Sequence, residues 1–173
     1  MPHIMIVDDD PDTLVLLSTI TRSLGYEVSA VESGEAAITA TSEQEFDLVL
    51  LDQHMSGISG IDTAKILHQQ RIPFLFCTSI TEDEVLRHAM AQGALNYIIK
   101  PFTPAKVIFA IASSLRLIEE QKQNSLTQIA TGILMERCQT QREDAFKRLE
   151  KKAQGSEVTI DIAARQLIDE LSK

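Results

Sequence analysis

The stretch FDLVLLDQHMSGISG, residues 46–60, decides the fold prediction, because an apolar run stops there at a carboxylate and gives way to a loop of small residues. Residues 48–51 do not alternate between apolar and polar side chains, which is typical of a strand buried on both faces of a parallel sheet. Asp52 then lies at the carboxyl end of that strand. Ligands bind at this edge in open parallel sheets, so Asp52 is the first candidate functional residue.

Further strands and helices follow from patterns on both sides of this stretch. Strand-like apolar segments occupy residues 3–7, 26–31, 74–77 and 95–99. Helical patterns separate them, with N-cap signals at Asp10 before Pro11, at Ser33, and in a capping box of Thr81 with Glu84. Each connection between parallel strands needs a crossover, so this alternation predicts an α/β fold with a doubly wound, five-stranded parallel sheet.

The sequence also predicts a second, smaller domain. A fifth helix begins near Pro104 and runs into EEQKQNS, residues 119–125, which contains neither an apolar residue nor a helix breaker. We interpret residues 1–118 as one domain, 119–125 as a helical connector and 126–173 as an all-α module of three helices. A capping box of Thr140 with Glu143 opens the middle helix, and helical spacing puts Phe146 in the core with Leu149.

Composition limits the classes of function. No stretch of about 18 apolar residues and no secretory leader is present, so we expect a cytoplasmic protein without a membrane partner. Cys77 and Cys138 form no disulfide framework, and the four scattered histidines do not form a zinc motif.

Charge is distributed unevenly along the chain. Residues 1–114 carry 15 acidic and 6 basic side chains, whereas residues 115–173 carry 10 of each, so the whole net charge of -9 lies in the first part. Within residues 137–152, six basic side chains against three acidic ones make a modest basic patch, a weak indication of nucleic-acid binding.

Polar side chains end four of the predicted strands: Asp8 and Asp9, Asp52, Thr78, and Lys100. With the first and third strands adjacent, all of them meet at one edge of the sheet. Two carboxylates about 4 Å apart repel by about 4 kcal/mol at an effective dielectric constant of 20, so three carboxylates need a counterion. Oxygen ligands of this number favour Mg²⁺ over zinc.

A magnesium site beside a lysine and a hydroxyl group can stabilise the charge of a transferring phosphoryl group. No serine, cysteine or histidine at these strand ends offers a better nucleophile, so Asp52 is the candidate phosphoryl acceptor.

Residues 1–118 resemble the receiver domain of two-component response regulators, a flavodoxin-like fold. The matching pattern comprises an acidic pair, a phosphorylated aspartate followed by methionine and a later glycine, a hydroxyl residue, an aromatic residue and Lys-Pro. The matches are Asp8, Asp9, Asp52, Met55, Gly60, Thr78, Tyr97, Lys100 and Pro101.

The resemblance implies a role for each matched position. Asp52 accepts a phosphoryl group from a sensor histidine kinase, and the chain is no enzyme beyond self-catalysed phosphotransfer and dephosphorylation. Lys100 and Thr78 bind phosphoryl oxygens, and Tyr97 rotates inward, changing the surface of the fourth helix, fifth strand and fifth helix. The implied Mg²⁺ ligands are Asp8 (through water), Asp9, Asp52 and the backbone carbonyl of His54. The bond before Pro101 is expected to be cis.

One position departs from the receiver pattern. Ser56 stands where the family usually has proline, so we expect the loop after Asp52 to be less restrained. The lifetime of the phosphoryl group depends on that loop.

Residues 126–172 resemble the ANTAR domain, an RNA-binding antitermination module often joined to receivers. The match rests on Ala130, Gly132, Leu134, Met135, Ala145, Phe146, Leu149 and Ala163; Thr131 replaces a common lysine. The implied RNA contacts are Gly132, Arg137, Lys147, Arg148 and Lys151. The pairs Glu143 with Lys147 and Asp144 with Arg148 also fit a solvated, salt-bridged helix face.

The leading hypothesis is a response regulator that, once phosphorylated on Asp52, forms a homodimer, binds hairpin RNA and controls transcription antitermination. The alternative is a signalling adaptor whose helical tail binds a protein partner. Regulation by DNA contact is a weaker third hypothesis, because no helix-turn-helix with an exposed basic recognition helix is evident.

Overall fold

The computed structural model describes residues 1–79, 87 and 90–171. The chain divides into two compact units, 1–117 and 118–173. The first unit contains five parallel strands in the order β2-β1-β3-β4-β5. Their bounds are β1 His3–Val7, β2 Glu27–Val31, β3 Leu48–Asp52, β4 Phe74–Thr78 and β5 Tyr97–Ile99. The predicted doubly wound parallel sheet is therefore confirmed, with β1 and β3 adjacent.

The central strands are buried from end to end, which explains why their sequences do not alternate. Every residue of β3 and β4 is buried, and Phe74 and Phe76 pack edge to face with ring centroids 5.4 Å apart. The register pairs Val7 of β1 with Leu51 of β3, so Asp8 and Asp52 follow neighbouring positions at one sheet edge.

Three helices complete the described crossovers: α1 Pro11–Ser23, α2 Gly34–Glu43 and α3 Gly60–Gln69. Asp10 caps α1 by accepting hydrogen bonds from the N–H groups of Asp12 and Thr13, and Ser33 caps α2 in the same way through Ala36, both as predicted. The predicted Thr81–Glu84 capping box and most of the helix that follows it lie outside the described residues.

The second unit is helical, as predicted. Helix α4, Pro104–Cys138, corresponds to the fifth helix predicted from the sequence and runs without interruption through residues 119–125. Helices α5 Arg142–Gly155 and α6 Ile160–Leu171 follow it. Small and aliphatic residues form the core of this unit: Ala130, Leu149, Ala153, Ala163, Ala164 and Leu167. No helix within the described residues is long and apolar enough to cross a membrane.

Two predictions about α5 are wrong. Its N-cap is Gln141, which makes no capping hydrogen bond, and the Thr140 hydroxyl lies 3.5 Å from Asp144, so the Thr140–Glu143 capping box does not form. Phe146 is 38% exposed, whereas Ala145 and Leu149 are fully buried. Successive helical residues are rotated by about 100°, so the buried face that contains Ala145, Leu149 and Ala153 turns Phe146 toward solvent.

Candidate metal and phosphoryl site

The carboxyl edge of the sheet gathers the predicted acidic residues. Asp8 and Asp9 follow β1 and Asp52 ends β3, and one carboxylate oxygen from each lies within 4.8 Å of the others. Asp8 and Asp52 are buried, at 1% and 4% exposure, whereas Asp9 is exposed. The cluster is thus closed on the protein side and open to solvent on the Asp9 side.

Lys100, just after β5, joins two of these carboxylates. Its Nζ lies 2.7 Å from Asp8 Oδ2 and 2.8 Å from Asp52 Oδ1. Burial alone would lower the pKa of Lys100, but the hydrogen bonds to Asp52 and Asp8 raise it above its ordinary value. Lys100 therefore stays protonated and holds a positive charge beside Asp52. The Lys100–Pro101 bond is cis, as expected.

For Asp8, the effect of burial on the pKa outweighs the effect of the hydrogen bonds. Burial raises the pKa of its carboxyl group, and the hydrogen bond from Lys100 opposes that rise only in part. The backbone N–H of Asp10 also donates to Asp8 Oδ1, at 3.0 Å. A second cation at the cluster would stabilise the ionised form of Asp8 further.

The donor set fits Mg²⁺. Three carboxylates close together supply hard oxygen ligands, and the exposed side leaves positions for water, which Mg²⁺ usually retains. The backbone N–H of His54 donates to Asp52 Oδ2 at 2.8 Å, which fixes the orientation of that carboxylate. The His54 carbonyl stays a predicted ligand.

Hydrogen bonds restrain the loop after Asp52, and a proline at position 56 could not make two of them. The Ser56 backbone N–H and hydroxyl donate to Asp9 Oδ2 at 2.9 and 3.3 Å, and the Ile58 N–H donates to Glu35 Oε1 at 3.1 Å. Hydrogen bonds from the backbone N–H groups of Glu35 itself and of Ile58 lower the pKa of the Glu35 carboxyl group. Ser56 thus ties the loop to Asp9, which offsets the loss of restraint expected from the missing proline.

The remaining candidates lie at the ends of β4 and β5. Thr78 is buried, and its hydroxyl donates to Gln53 Oε1 at 2.7 Å. Tyr97 is 37% exposed and borders a shallow cavity of about 300 Å³ together with Phe109, which is 73% exposed. Its side chain is thus partly on the surface in this structure, the starting position that an inward rotation would need.

Comparison with known proteins settles the family. The sequence model of one protein family, the response regulator receiver domain, matches residues 4–112, well over half of the chain. The chain belongs to the response regulator receiver family. The match covers the sheet apart from His3 and includes every acidic residue of the site, and receiver domains bind Mg²⁺ at such an acidic pocket.

Relatives and solved structures agree with this membership. The DNA-binding response regulator MtrA of Mycolicibacterium smegmatis is 31% identical over 126 residues, 72% of this chain and 55% of the relative. The response regulator SaeR of Staphylococcus aureus is 30% identical over 132 residues, which are 75% of this chain and 58% of the relative. This receiver chain therefore spans just over half the length of these relatives.

Two of the structural matches cover almost the whole of the solved chain. Chemotaxis protein CheY4 of Vibrio cholerae superposes with a TM-score of 0.62 at 26% identity, over 65% of this chain and 97% of that one. A CheY-like receiver domain protein from Methanospirillum hungatei superposes with a TM-score of 0.66 at 25% identity, over 70% of this chain and 98% of that one.

The predicted RNA-contacting residues lie beyond the matched receiver segment, on α4 and α5. Gly132 is exposed on α4, and beyond its chain neighbours and the adjacent backbone of its own helix nothing lies within 4 Å of where its Cβ would be. The other four are exposed: Arg137, Lys147, Arg148 and Lys151. Lys147 pairs with Glu143 at 3.4 Å, but the expected pair of Asp144 with Arg148 does not form.

A groove between α4 and α5 was not predicted. It has a volume of about 450 Å³ and is lined by Asn124, Thr127, Gln128, Thr131, Arg142, Glu143 and Phe146. Below we call it the α4–α5 groove. The sequence signal that could have revealed it is the spacing of Arg142 and Phe146, which stand four residues apart on one face of α5.

Proposed function

We propose that this chain is a response regulator that accepts a phosphoryl group on Asp52 from a sensor histidine kinase. The observation that carries the proposal is the position of the Asp52 carboxylate, which Lys100 holds at 2.8 Å beside the acidic pair Asp8 and Asp9. Without a bound cation, this cluster has more carboxylates than the one lysine neutralises.

The proposed transfer begins when a carboxylate oxygen of Asp52 attacks the phosphorus of a phosphohistidine. The phosphorus–nitrogen bond breaks, the imidazole keeps the electron pair, and an acyl phosphate forms on Asp52. Bound Mg²⁺ would supply charge neutralisation for the phosphoryl oxygens, and Asp8, Asp9 and Asp52 would hold it. Lys100 would stabilise the same negative charge, and the Thr78 hydroxyl, at the end of the neighbouring strand, would turn away from Gln53 to donate to a phosphoryl oxygen.

The acceptor role is tested by incubating the chain with acetyl phosphate and Mg²⁺ and measuring the intact mass. We expect one added phosphoryl group, lost completely in Asp52→Asn and on removal of Mg²⁺ with a chelator. Asp62→Asn is the matched control, because Asp62 is exposed and its carboxylate binds Lys65 and Ser59, which lie outside the acidic cluster. Unchanged phosphorylation of Asp52→Asn would refute the proposal.

We further propose that the second unit binds RNA and that phosphorylation promotes this binding, as the resemblance to the ANTAR domain implies. The α4–α5 groove supports this proposal because it combines the exposed ring of Phe146 with Arg142 and with side-chain amide and hydroxyl groups. Single-stranded bases are commonly held by stacking on aromatic rings and by hydrogen bonds to their edges.

Charge provides a second line of support. Within the described residues, Arg137, Arg148 and Lys151 are exposed and form no ion pair. They can therefore contact phosphates without first breaking an intramolecular pair. Pairing of two phosphorylated copies would place two RNA-binding units together and raise affinity for paired hairpins without new contacts.

The RNA proposal is tested by selecting bound species from total cellular RNA with the phosphorylated chain. We expect enrichment of hairpins whose affinity falls with added salt. The name of MtrA favours a second candidate, DNA contact, so duplex DNA is titrated in parallel. Preference for duplex DNA would support that candidate, and output that survives neutralisation of Arg137, Arg148 and Lys151 would point to a protein-binding adaptor.

A further inference from the structure

Gln53 is a buried polar residue to which the proposed phosphotransfer assigns no role. It follows Asp52 directly and is only 5% exposed. Its backbone N–H donates to the Cys77 carbonyl at 3.1 Å, which continues the pairing of β3 with β4. A Cβ on Gly60 would lie 2.7 Å from Gln53 Cα, so the first turn of α3 closes against the same backbone. Gln53 therefore has little freedom to shift.

The side chain of Gln53 accepts the hydroxyl proton of Thr78. The distance from Thr78 Oγ1 to Gln53 Oε1 is 2.7 Å, and both residues are buried. A hydroxyl group has a single proton to donate. While that proton is directed at Gln53, Thr78 cannot donate it to a phosphoryl oxygen.

We propose that Gln53 is a positioning residue that holds the Thr78 hydroxyl in the unphosphorylated chain and thereby weakens capture of a phosphoryl group at Asp52. The inference rests on the proposed function, since it requires phosphoryl chemistry at Asp52. When Thr78 turns toward the phosphoryl group, the buried Gln53 oxygen loses its donor, and the cost of that loss opposes the change.

The decisive substitution is Gln53→Met, which keeps the length of the side chain but removes the strong acceptor. The measured quantity is the affinity for beryllium fluoride in the presence of Mg²⁺, determined by calorimetry on the full chain. We expect binding to become about threefold to tenfold tighter, the range that corresponds to one hydrogen bond. Affinity for Mg²⁺ alone is expected to stay unchanged, because within the described residues the three carboxylates bind other partners and not the amide of Gln53.

Two controls separate this mechanism from a general change in packing. Gln70→Met removes a similar bond, Thr41 Oγ1 to Gln70 Oε1 at 3.1 Å, on the exposed surface of the same unit, and should leave the affinity unchanged. In a Thr78→Val background, Gln53→Met should also have no effect, because no hydroxyl proton remains to be released.

The outcomes distinguish the inference from the function on which it rests. Binding by the wild type with equal or weaker binding by Gln53→Met would overturn the role of Gln53 alone. A gain that persists in the Thr78→Val background would overturn it as well. Failure of the wild type to bind beryllium fluoride with Mg²⁺ would overturn the proposed function together with this inference.

Discussion

The candidate sites of the two units are built in opposite ways. In residues 1–117, short apolar strands end at Asp8, Asp52, Thr78 and Lys100, and the sheet brings these ends to one edge, where Lys100 bonds to two buried carboxylates. In residues 118–173, the candidate contacts are exposed side chains on α4 and α5, and one of them is paired with a neighbour on the same helix. The fold fixes the positions of side chains at strand ends, so their pattern in the sequence identifies a site. Exposed side chains on a helix are not positioned in this way, so their pattern indicates function only weakly.

The largest expected effect is on the stability of the first unit, in which the buried Lys100 cluster is compared with an exposed ion pair. Lys100→Met leaves Asp8 and Asp52 buried beside each other without their cation, so the free energy of unfolding should fall by about 2 to 4 kcal/mol, somewhat below the loss for a fully buried pair because Lys100 is 25% exposed. Urea unfolding measures this loss, and Mg²⁺ should reduce it.

The control for this change is Lys65→Met, which breaks the exposed pair with Asp62 at 2.8 Å. Its effect should stay below about 1 kcal/mol. Equal small losses for both variants would mean that the Lys100 cluster is no more constrained than a surface pair, and the contrast between the two sites would disappear.

A smaller effect is expected in the α4–α5 groove, and it concerns RNA affinity. Phe146→Ala removes a stacking surface, so hairpin RNA should bind more weakly by about 1 to 3 kcal/mol, or about fivefold to 150-fold. The loss of stability should be smaller than for a fully buried phenylalanine, because the ring is 38% exposed, and urea unfolding checks that the variant is folded in the binding assay. The affinity is measured by fluorescence anisotropy with labelled RNA.

Phe109→Ala is the matched control, since Phe109 is an exposed phenylalanine of the receiver unit. It should leave the RNA affinity of the unphosphorylated chain unchanged. A loss for Phe109→Ala as large as that for Phe146→Ala would remove the α4–α5 groove from the RNA interface.

The smallest effect is expected at Ser56. Ser56→Pro removes the N–H and hydroxyl bonds to Asp9 but also restricts the unfolded chain, so unfolding should become easier by only about 0.5 to 1.5 kcal/mol. Ser56→Ala keeps the shorter N–H bond and should cost less than about 0.5 kcal/mol. A stabilising Ser56→Pro would show that the bonds to Asp9 do not restrain the loop.

Much of the receiver unit follows from local sequence patterns. Uninterrupted apolar runs identify β3 and β4, and the polar residues that end them identify the site once parallel pairing is inferred. The pairing of Thr78 with Gln53 escaped prediction because it depends on which strands are neighbours and on side-chain rotamers. The bonds of Ser56 escaped because they join residues 47 positions apart.

The helical unit was less predictable for a geometric reason. Helical spacing groups Ala145, Leu149 and Phe146 within one broad face, and only packing decides which edge of that face is buried. Small residues in the core, among them Ala130, Ala163 and Ala164, allow the helices to pack without the Phe146 ring. Because the Phe146 ring is left out of this core, it lines the α4–α5 groove.

The most direct test of the account is the affinity of the full chain for a selected hairpin RNA, measured with Mg²⁺ alone and with Mg²⁺ plus beryllium fluoride. The account predicts tighter binding in the second state, and no such gain for Asp52→Asn. Equal, negligible affinity in both states would contradict it, because the helical unit would then not bind RNA in response to the state of Asp52.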